Sequence, residues 1–217
     1  MPAKTKPRLM PTRQDARESR ARLLEAAGEA FARDGYQDAS LRKICDTAGV
    51  NLGAIKYYFG SKQALYIELL TDSHRQILSR NTMPTLETCP DAEQALHRWI
   101  EWFLGVLLSR AQHPYLGRIM AREIVQPTPA LDELIGLVVI NVRAELERIV
   151  TKIGGGRLDR QTITRLTNMT LMLGVMHEIG QPVIERFGYK RPGTAAGIKK
   201  LADAVAQYAL GGIKAFS

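Results

Sequence analysis

The sequence predicts an all-α protein: a three-helix N-terminal helix-turn-helix head followed by a larger helical bundle, about nine helices in total. Three observations carry that expectation. Apolar residues recur at helical spacing along the chain, with no convincing strand alternation. Ser, Thr, Asp and Asn stand where helices would start, and Gly or Pro where they would stop. Residues 40–62, SLRKICDTAGVNLGAIKYYFGSK, read as two short helices joined by a turn at Gly49.

The elements follow in order. A first helix is expected from Asp15 to Asp34, with Leu23, Leu24, Ala27 and Phe31 on one face and Gly35 as its stop. Ser40 caps a short helix, Leu41 to Ala48. Gly49 supplies the turn, and Asn51 caps a third helix through Tyr58. Ser61 caps a long fourth helix ending at Arg80. The segment NTMPTLETCP, 81–90, is a Pro-containing break and a candidate domain boundary. Asp91 opens a helix to Gln112, and Pro114 another to Val125. In QPTPALDEL, Thr128 caps, Pro129 takes the first turn, and Asp132 and Glu133 favour the positive helix end, for a helix reaching Ile153. Gly154–Gly156 form a loop, and Asp159 starts a long helix kinked at Pro182. RPGT, 191–194, precedes a last helix from Ala195 to Ile213. The domain expectation is a disordered basic arm over 1–14, a DNA-binding head over 15–62, and a ligand-binding and dimerisation domain over 63–217, entered through a connecting helix at 62–80.

The 217 residues carry 30 Lys/Arg against 22 Asp/Glu, a net charge of +8. Residues 1–62 hold 12 basic and 7 acidic side chains, a net of +5, so more than half of the excess sits around the proposed motif. That bias favours an anionic partner, here double-stranded DNA. Cys45 and Cys89 form neither a metal cluster nor a disulfide framework, which fits a reducing cytoplasm. No apolar run reaches the roughly 18 residues that span a membrane. The opening MPAKTKPRLMPTR lacks the apolar core of a secretion signal, and its three prolines argue for an extended arm. His74, His97, His113 and His177 are scattered, and HExxH, CxxC, GxSxG and P-loop patterns are absent. No enzyme activity, metal or cofactor is expected.

A major groove about 12 Å wide accepts one helix. Asn51, Leu52, Gly53 and Ala54 are read as short enough for close backbone approach at the N-terminal turn, and Lys56, Tyr57 and Tyr58 as able to reach base edges. Ile55 and Phe59 should face back into the head. Ser40, Arg42, Lys43 and Lys62 flank this reader as phosphate contacts, which position without reading sequence. Lys4, Lys6, Arg8 and Arg13 are further candidates for the DNA backbone or a minor groove.

Residues 19–66 resemble the DNA-binding domain of the TetR family of transcriptional regulators. The resemblance rests on the Leu-Ala-Ala-Phe face of the first helix, Gly35-Tyr36, Leu41 with Ile44, Ala48-Gly49-Val50, and Tyr58-Phe59-Gly60-Ser61-Lys62. It implies three head helices, a bundle of about six, and a homodimer on near-palindromic operators. Lys56 departs from the Tyr common at its position, so base preference does not transfer there. Cys45 departs from Ala and reads as a small buried side chain or a redox switch. PYLGRIMAREIVQPTPALDEL, 114–134, resembles the C-terminal domain of a CerR-like subgroup.

In the second half, Trp99, Trp102, Phe103, Leu107, Met120, Met169, Met172 and Met176 are candidates to line a pocket for a small, largely apolar effector, with His177 and Gln181 to orient it. The same stripe also reads as plain core. Glu178 joins this polar group, and Arg122 reads as a surface residue or half of an interhelical pair. Ile163, Leu166, Thr170, Leu173 and Gly174 on one helix, with Ile198, Leu201, Ala202, Val205 and Leu210 on the last, are the candidate dimer interface. The expected protein is a dimeric, ligand-responsive repressor in the cytoplasm. The alternatives are an all-helical ligand-binding or enzymatic protein that has lost DNA binding, and an activator without an effector.

Overall fold

The structure, a computed structural model, describes residues 13–108 and 115–217, the side chain of Val138 excepted. The arm expected over 1–14, with Lys4, Lys6 and Arg8, falls outside these residues apart from Arg13 and Gln14, as does the helix start expected at Pro114. Among the described residues there are eleven α-helices and no strand. They are α1 Arg13–Asp38, α2 Leu41–Ala48, α3 Gly53–Tyr58, α4 Lys62–Arg80, α5 Ala92–Leu108, α6 Leu116–Val125, α7 Pro129–Leu134, α8 Ile140–Gly154, α9 Arg160–Ile179, α10 Gln181–Ile184 and α11 Ala195–Phe216.

Two breaks raise the count above nine. The helix expected from Pro129 to Ile153 contains a π turn, Ile135–Val139, which separates α7 from α8. The helix after Asp159 stops at Gly180, whose N–H closes on the Met176 carbonyl at 2.9 Å. Pro182 therefore does not kink a continuing helix. It sits in the first turn of α10, where a missing N–H costs no hydrogen bond. At Gly35, φ is +83° and the helical path of α1 is interrupted before its last residues. Only glycine takes that conformation without strain.

Ser40 and Thr128 cap as expected, Asp159 caps the helix it was expected to start, and Thr194 is a cap that the sequence reading did not name. Ser40 accepts from the Lys43 N–H, Asp159 from Thr162, Thr194 from Gly197, and Thr128 from Ala130. Each satisfies an amide that the helix itself leaves open.

The chain divides between Leu69 and Leu70, inside α4, into two compact units. The first is built on Leu23, Ala27, Phe31, Ile44, Ile55, Leu65 and Leu69, all buried. Phe31, Tyr36 and Tyr66 form an aromatic cluster, with the Phe31 and Tyr66 rings edge to face at 4.7 Å. Arg20 pairs with Glu68 and lies 5.5 Å over the Phe59 ring.

The second unit packs α5, α8, α9 and α11 around Trp99, Leu96, Leu104, Leu146, Ile149, Ala202 and Ile213. Trp99 stacks on Phe103 at 4.9 Å. Two buried carboxylates tie its loops down. Glu145 accepts from the Leu86 N–H at 2.8 Å and pairs with Arg148 at 2.7 Å. Glu123 accepts the Thr128 N–H at 2.9 Å and its hydroxyl at 3.0 Å. Of the Arg122-Glu123 pair, the acid is thus buried, closing the QPTP turn, while Arg122 is exposed. The Arg-Glu and Pro-Thr-Pro pieces of the 114–134 motif form one local clip.

Candidate functional site

The α2–turn–α3 segment is assembled from its own ends. Gly49 takes φ +67°, and its N–H bonds to the Asp46 carbonyl at 3.2 Å, while Val50 bonds to Cys45 at 3.0 Å. A side chain at Gly49 would be strained at that φ even though nothing lies near its missing Cβ. Asn51 then caps α3: its Oδ1 accepts from the Ala54 N–H at 3.1 Å. Ile55 and Phe59, one helical turn apart, are buried and hold α3 to the head. Their burial turns the opposite side of α3 outward. Asn51, Leu52, Gly53, Lys56 and Tyr57 are exposed, Tyr57 at 79%, and Ala54 and Tyr58 are half-buried. The Tyr57 and Tyr58 rings meet edge to face at 4.9 Å.

On α2, Arg42 and Lys43 are exposed and Ser40 is half-buried. Thr47, beside the turn, is also exposed. Arg22 supports the motif from outside it. Its Nε donates to the Ala48 carbonyl at 3.0 Å, capping α2 from 26 residues away, a distance at which sequence spacing says nothing. Lys62 is already engaged: Nζ donates to the Gln37 carbonyl at 2.9 Å and lies 5.2 Å from the Tyr36 ring centre. Its desolvation holds the ammonium below the usual lysine pKa. Cys45 is buried, and burial pushes its thiol up, away from the reactive thiolate.

The effector candidates are not gathered at one place. Trp99 is fully buried in the core, Phe103 and Leu107 pack against that core, and Met120 is half-buried. Met169, Met172 and Met176 are 45–55% exposed along one face of α9. His177 and Gln181 line a recess of only about 10 Å³ with Tyr189 and Arg191, and burial holds the His177 imidazole below its usual pKa. Trp102 borders a larger space. This is a cleft of about 450 Å³ between the end of α4, residues 81–84 and α5, lined by Ile77, Asn81, Pro84, Arg98, Glu101, Trp102, Gly105 and Val106. Glu178 pairs with Arg191 at 2.5 Å.

The dimer candidates lie within the protomer. Leu166, Thr170, Gly174, Leu201, Ala202 and Val205 are buried, and Ile163, Leu173, Ile198 and Leu210 pack against the same core. The exposed faces are the neighbouring ones: Met169, Met172 and Met176 on α9, and Ala204, Tyr208, Gly211 and Ala215 on α11. Helical spacing identifies an apolar stripe; it does not say whether the stripe meets its own bundle or another chain.

A short helix anchored by two buried residues, entered through a glycine turn and presenting polar and aromatic groups outward, defines a helix-turn-helix protein. The comparisons agree. The family model for bacterial regulatory proteins of the tetR family matches residues 23–69. The model for the C-terminal domain of the HTH-type transcriptional dual regulator CecR matches residues 92–213, more than half of the chain. The protein therefore belongs to the TetR family of transcriptional regulators, with a CecR-type C-terminal domain; the C-terminal resemblance given above as CerR-like is to CecR.

Among curated relatives, the chain is 36% identical over 81 residues to the regulator YdgC of Bacillus subtilis, covering 37% of this chain and 42% of YdgC. It is 40% identical over 63 residues to TtgR of Pseudomonas putida, covering 29% of this chain and 30% of TtgR. The chain thus spans less than half the length of these relatives. Among solved structures, FadR of Bacillus subtilis in complex with stearoyl-CoA superposes with a TM-score of 0.64 at 21% identity, covering 88% of this chain and 98% of FadR. PfmR of Thermus thermophilus superposes at 0.63 and 18% identity, covering 93% and 97%. At these identities the likeness is one of fold. Among the described residues no helix is long and apolar enough to cross a membrane.

Proposed function

We propose that the protein is a ligand-responsive transcriptional repressor, cytoplasmic, that binds a near-palindromic operator as a homodimer and releases it when a small effector occupies the bundle. One observation carries the reading: α3 is held by Ile55 and Phe59 so that Asn51, Leu52, Lys56 and Tyr57 face outward together. Leu52, Gly53 and Ala54 admit close approach to a groove, and Lys56, Tyr57 and Tyr58 select bases. Ser40, Arg42 and Lys43 position the head on phosphates. Lys62, its ammonium already held by Gln37, acts by fixing the start of α4. The head spans residues 15–62, and 63–217 carry effector binding and dimerisation.

The dimer contact uses the outward faces of α9 and α11. Met169, Met172 and Met176 supply adaptable apolar surface. Ala204, Gly211 and Ala215 let a second helix approach closely; nothing lies within 4 Å of a Cβ at Gly211. Helix α4, which runs through the division between the units, is the element on which effector and operator both act. Any effector that prefers one dimer state must shift operator affinity reciprocally. The stearoyl-CoA held by FadR supports effector binding on this fold, and the dual role named for CecR makes the sign of regulation part of the test.

The test is gel shift and reporter transcription with the protein's own upstream DNA against competitor DNA. Sequence-specific binding by a dimer, with reporter output rising on deletion of the gene, is expected. Tyr57→Ala and Lys56→Ala should each cost about 1–3 kcal/mol of specific binding. Equal affinity for operator and competitor at physiological salt refutes the reading, and falling reporter output on deletion refutes repression.

A further inference from the structure

This inference rests on the reading of residues 63–217 as an effector-binding unit and assigns the site and its ligand class. The cleft of about 450 Å³ beside α5 lies within the size range of small-molecule sites, about 300–1,000 Å³. Four features of its wall decide its chemistry. The Trp102 indole N–H donates to the Asn81 carbonyl at 2.9 Å, so the ring is fixed and its polar atom is spent. What Trp102 offers a ligand is flat apolar surface, continued by Ile77 and Val106.

Arg98 stands one helical turn before Trp102. It lines the cleft, is exposed, and has no ion-pair or hydrogen-bond partner among the described residues. The other charge on the wall is Glu101. It lies 3.8 Å from Lys199, which also lies 3.6 Å from Asp203, itself paired with His97 at 2.7 Å. Lys199 is thus shared between two acids, whereas Arg98, on the same wall, has no ion pair among the described residues that a ligand would have to break.

Gly105 completes the argument. It sits inside α5, where glycine is less favourable than alanine. A Cβ there would meet nothing within 4 Å, so packing in this chain does not require the glycine. It leaves the cleft floor bare, three residues from Trp102, where a ring laid on the indole would contact backbone.

We propose that this cleft binds a compact amphipathic monoanion: a flat apolar body between Trp102 and Gly105, and one carboxylate at Arg98. The guanidinium fork matches a carboxylate, Arg98 has no described partner to give up for it, and the Glu101 carboxylate on the same wall disfavours a second negative charge.

The experiment uses the full chain and three probes of one shape: 2-naphthoate, 2-naphthylmethanol and 2-naphthylmethylammonium, followed by calorimetry. The acid is expected to bind about tenfold more tightly than the alcohol, with the amine weakest. Arg98→Gln should remove that tenfold preference and leave the alcohol unchanged. Gly105→Leu should fill the floor and abolish binding of all three, with the thermal midpoint undiminished. An acid bound no better than the alcohol, a preference that survives Arg98→Gln, or no binding of any probe overturns the ligand class; unchanged binding in Gly105→Leu overturns the site. Operator gel shifts with 2-naphthoate separate the two readings. Binding in the expected pattern without any change in operator affinity leaves the cleft assignment standing and sinks its effector role. Release by the alcohol but not by the acid does the reverse.

Discussion

Two glycines inside long helices of the second unit should respond oppositely to the same substitution. At Gly105 an added Cβ meets nothing within 4 Å. Gly105→Ala therefore gains helix propensity alone, about 1 kcal/mol. At Gly174 the added Cβ would lie 2.8 Å from Phe103 Cε1, 3.0 Å from its Cδ1 and 3.4 Å from Leu104 Cδ2. The Phe103 ring has no easy retreat, because it stacks on fully buried Trp99 at 4.9 Å. Overpacking costs about 1–3 kcal/mol, from which the same propensity gain of roughly 1 is subtracted. Gly105→Ala should thus stabilise by about 1 kcal/mol and Gly174→Ala destabilise by about 1, a separation of about 2. Urea unfolding followed by tryptophan fluorescence and by circular dichroism measures both, with matching m-values as the condition for comparison. In the Gly174→Ala/Phe103→Leu double variant the clash is relieved, so the two substitutions should be non-additive in the favourable direction. Equal and same-signed effects at the two glycines, or strict additivity with Phe103→Leu, would refute the packing argument.

Three other perturbations test the polar framework. Glu123→Ala leaves the Thr128 amide and hydroxyl without their buried acceptor and should cost about 2–4 kcal/mol, read as a lower urea midpoint; Glu123→Gln, which keeps an acceptor, should cost less. Arg191→Met strands the Glu178 carboxylate, whose side chain is 13% exposed, and should cost about 3–5 kcal/mol, while pairing it with Glu178→Leu should recover most of the loss. For His177, burial lowers the folded-state pKa, so as pH falls below about 6.5 the unfolded chain takes up the proton first and stability declines down to the folded-state value. Urea midpoints at pH 7.5 and 5.5 should fall further in the wild type than in His177→Gln; an equal fall would assign the pH dependence to other groups.

Local chemistry made much of this chain readable. Ser40, Thr128, Asp159 and Thr194 cap helices because their side-chain oxygens reach amides two or three residues ahead, an interaction wholly contained in sequence spacing. Gly49 turns the chain because its φ is positive, and Ile55 and Phe59 anchor α3 because they lie one helical turn apart on its buried side. The all-α class followed from such short-range rules. The extra breaks at Ile135–Val139 and Gly180 did not. An apolar run such as IGLVV gives no warning of a π turn, and a glycine two residues ahead of a proline reads equally as a kink or as a stop.

Long-range pairing was decided only in the folded molecule. Arg22 reaches Ala48 across 26 residues, Glu145 reaches Leu86 across 59, and Arg191 reaches Leu108 across 83. The same limit governs the apolar stripes. Periodicity marks a face of α5, α9 or α11 as apolar, but burial depends on which neighbour arrives there. Packing placed Trp99, Leu166 and Val205 in the core and left Met169, Met172 and Met176 outside it. Helical repeat is a property of one segment, whereas the partner of a face is a property of the whole fold.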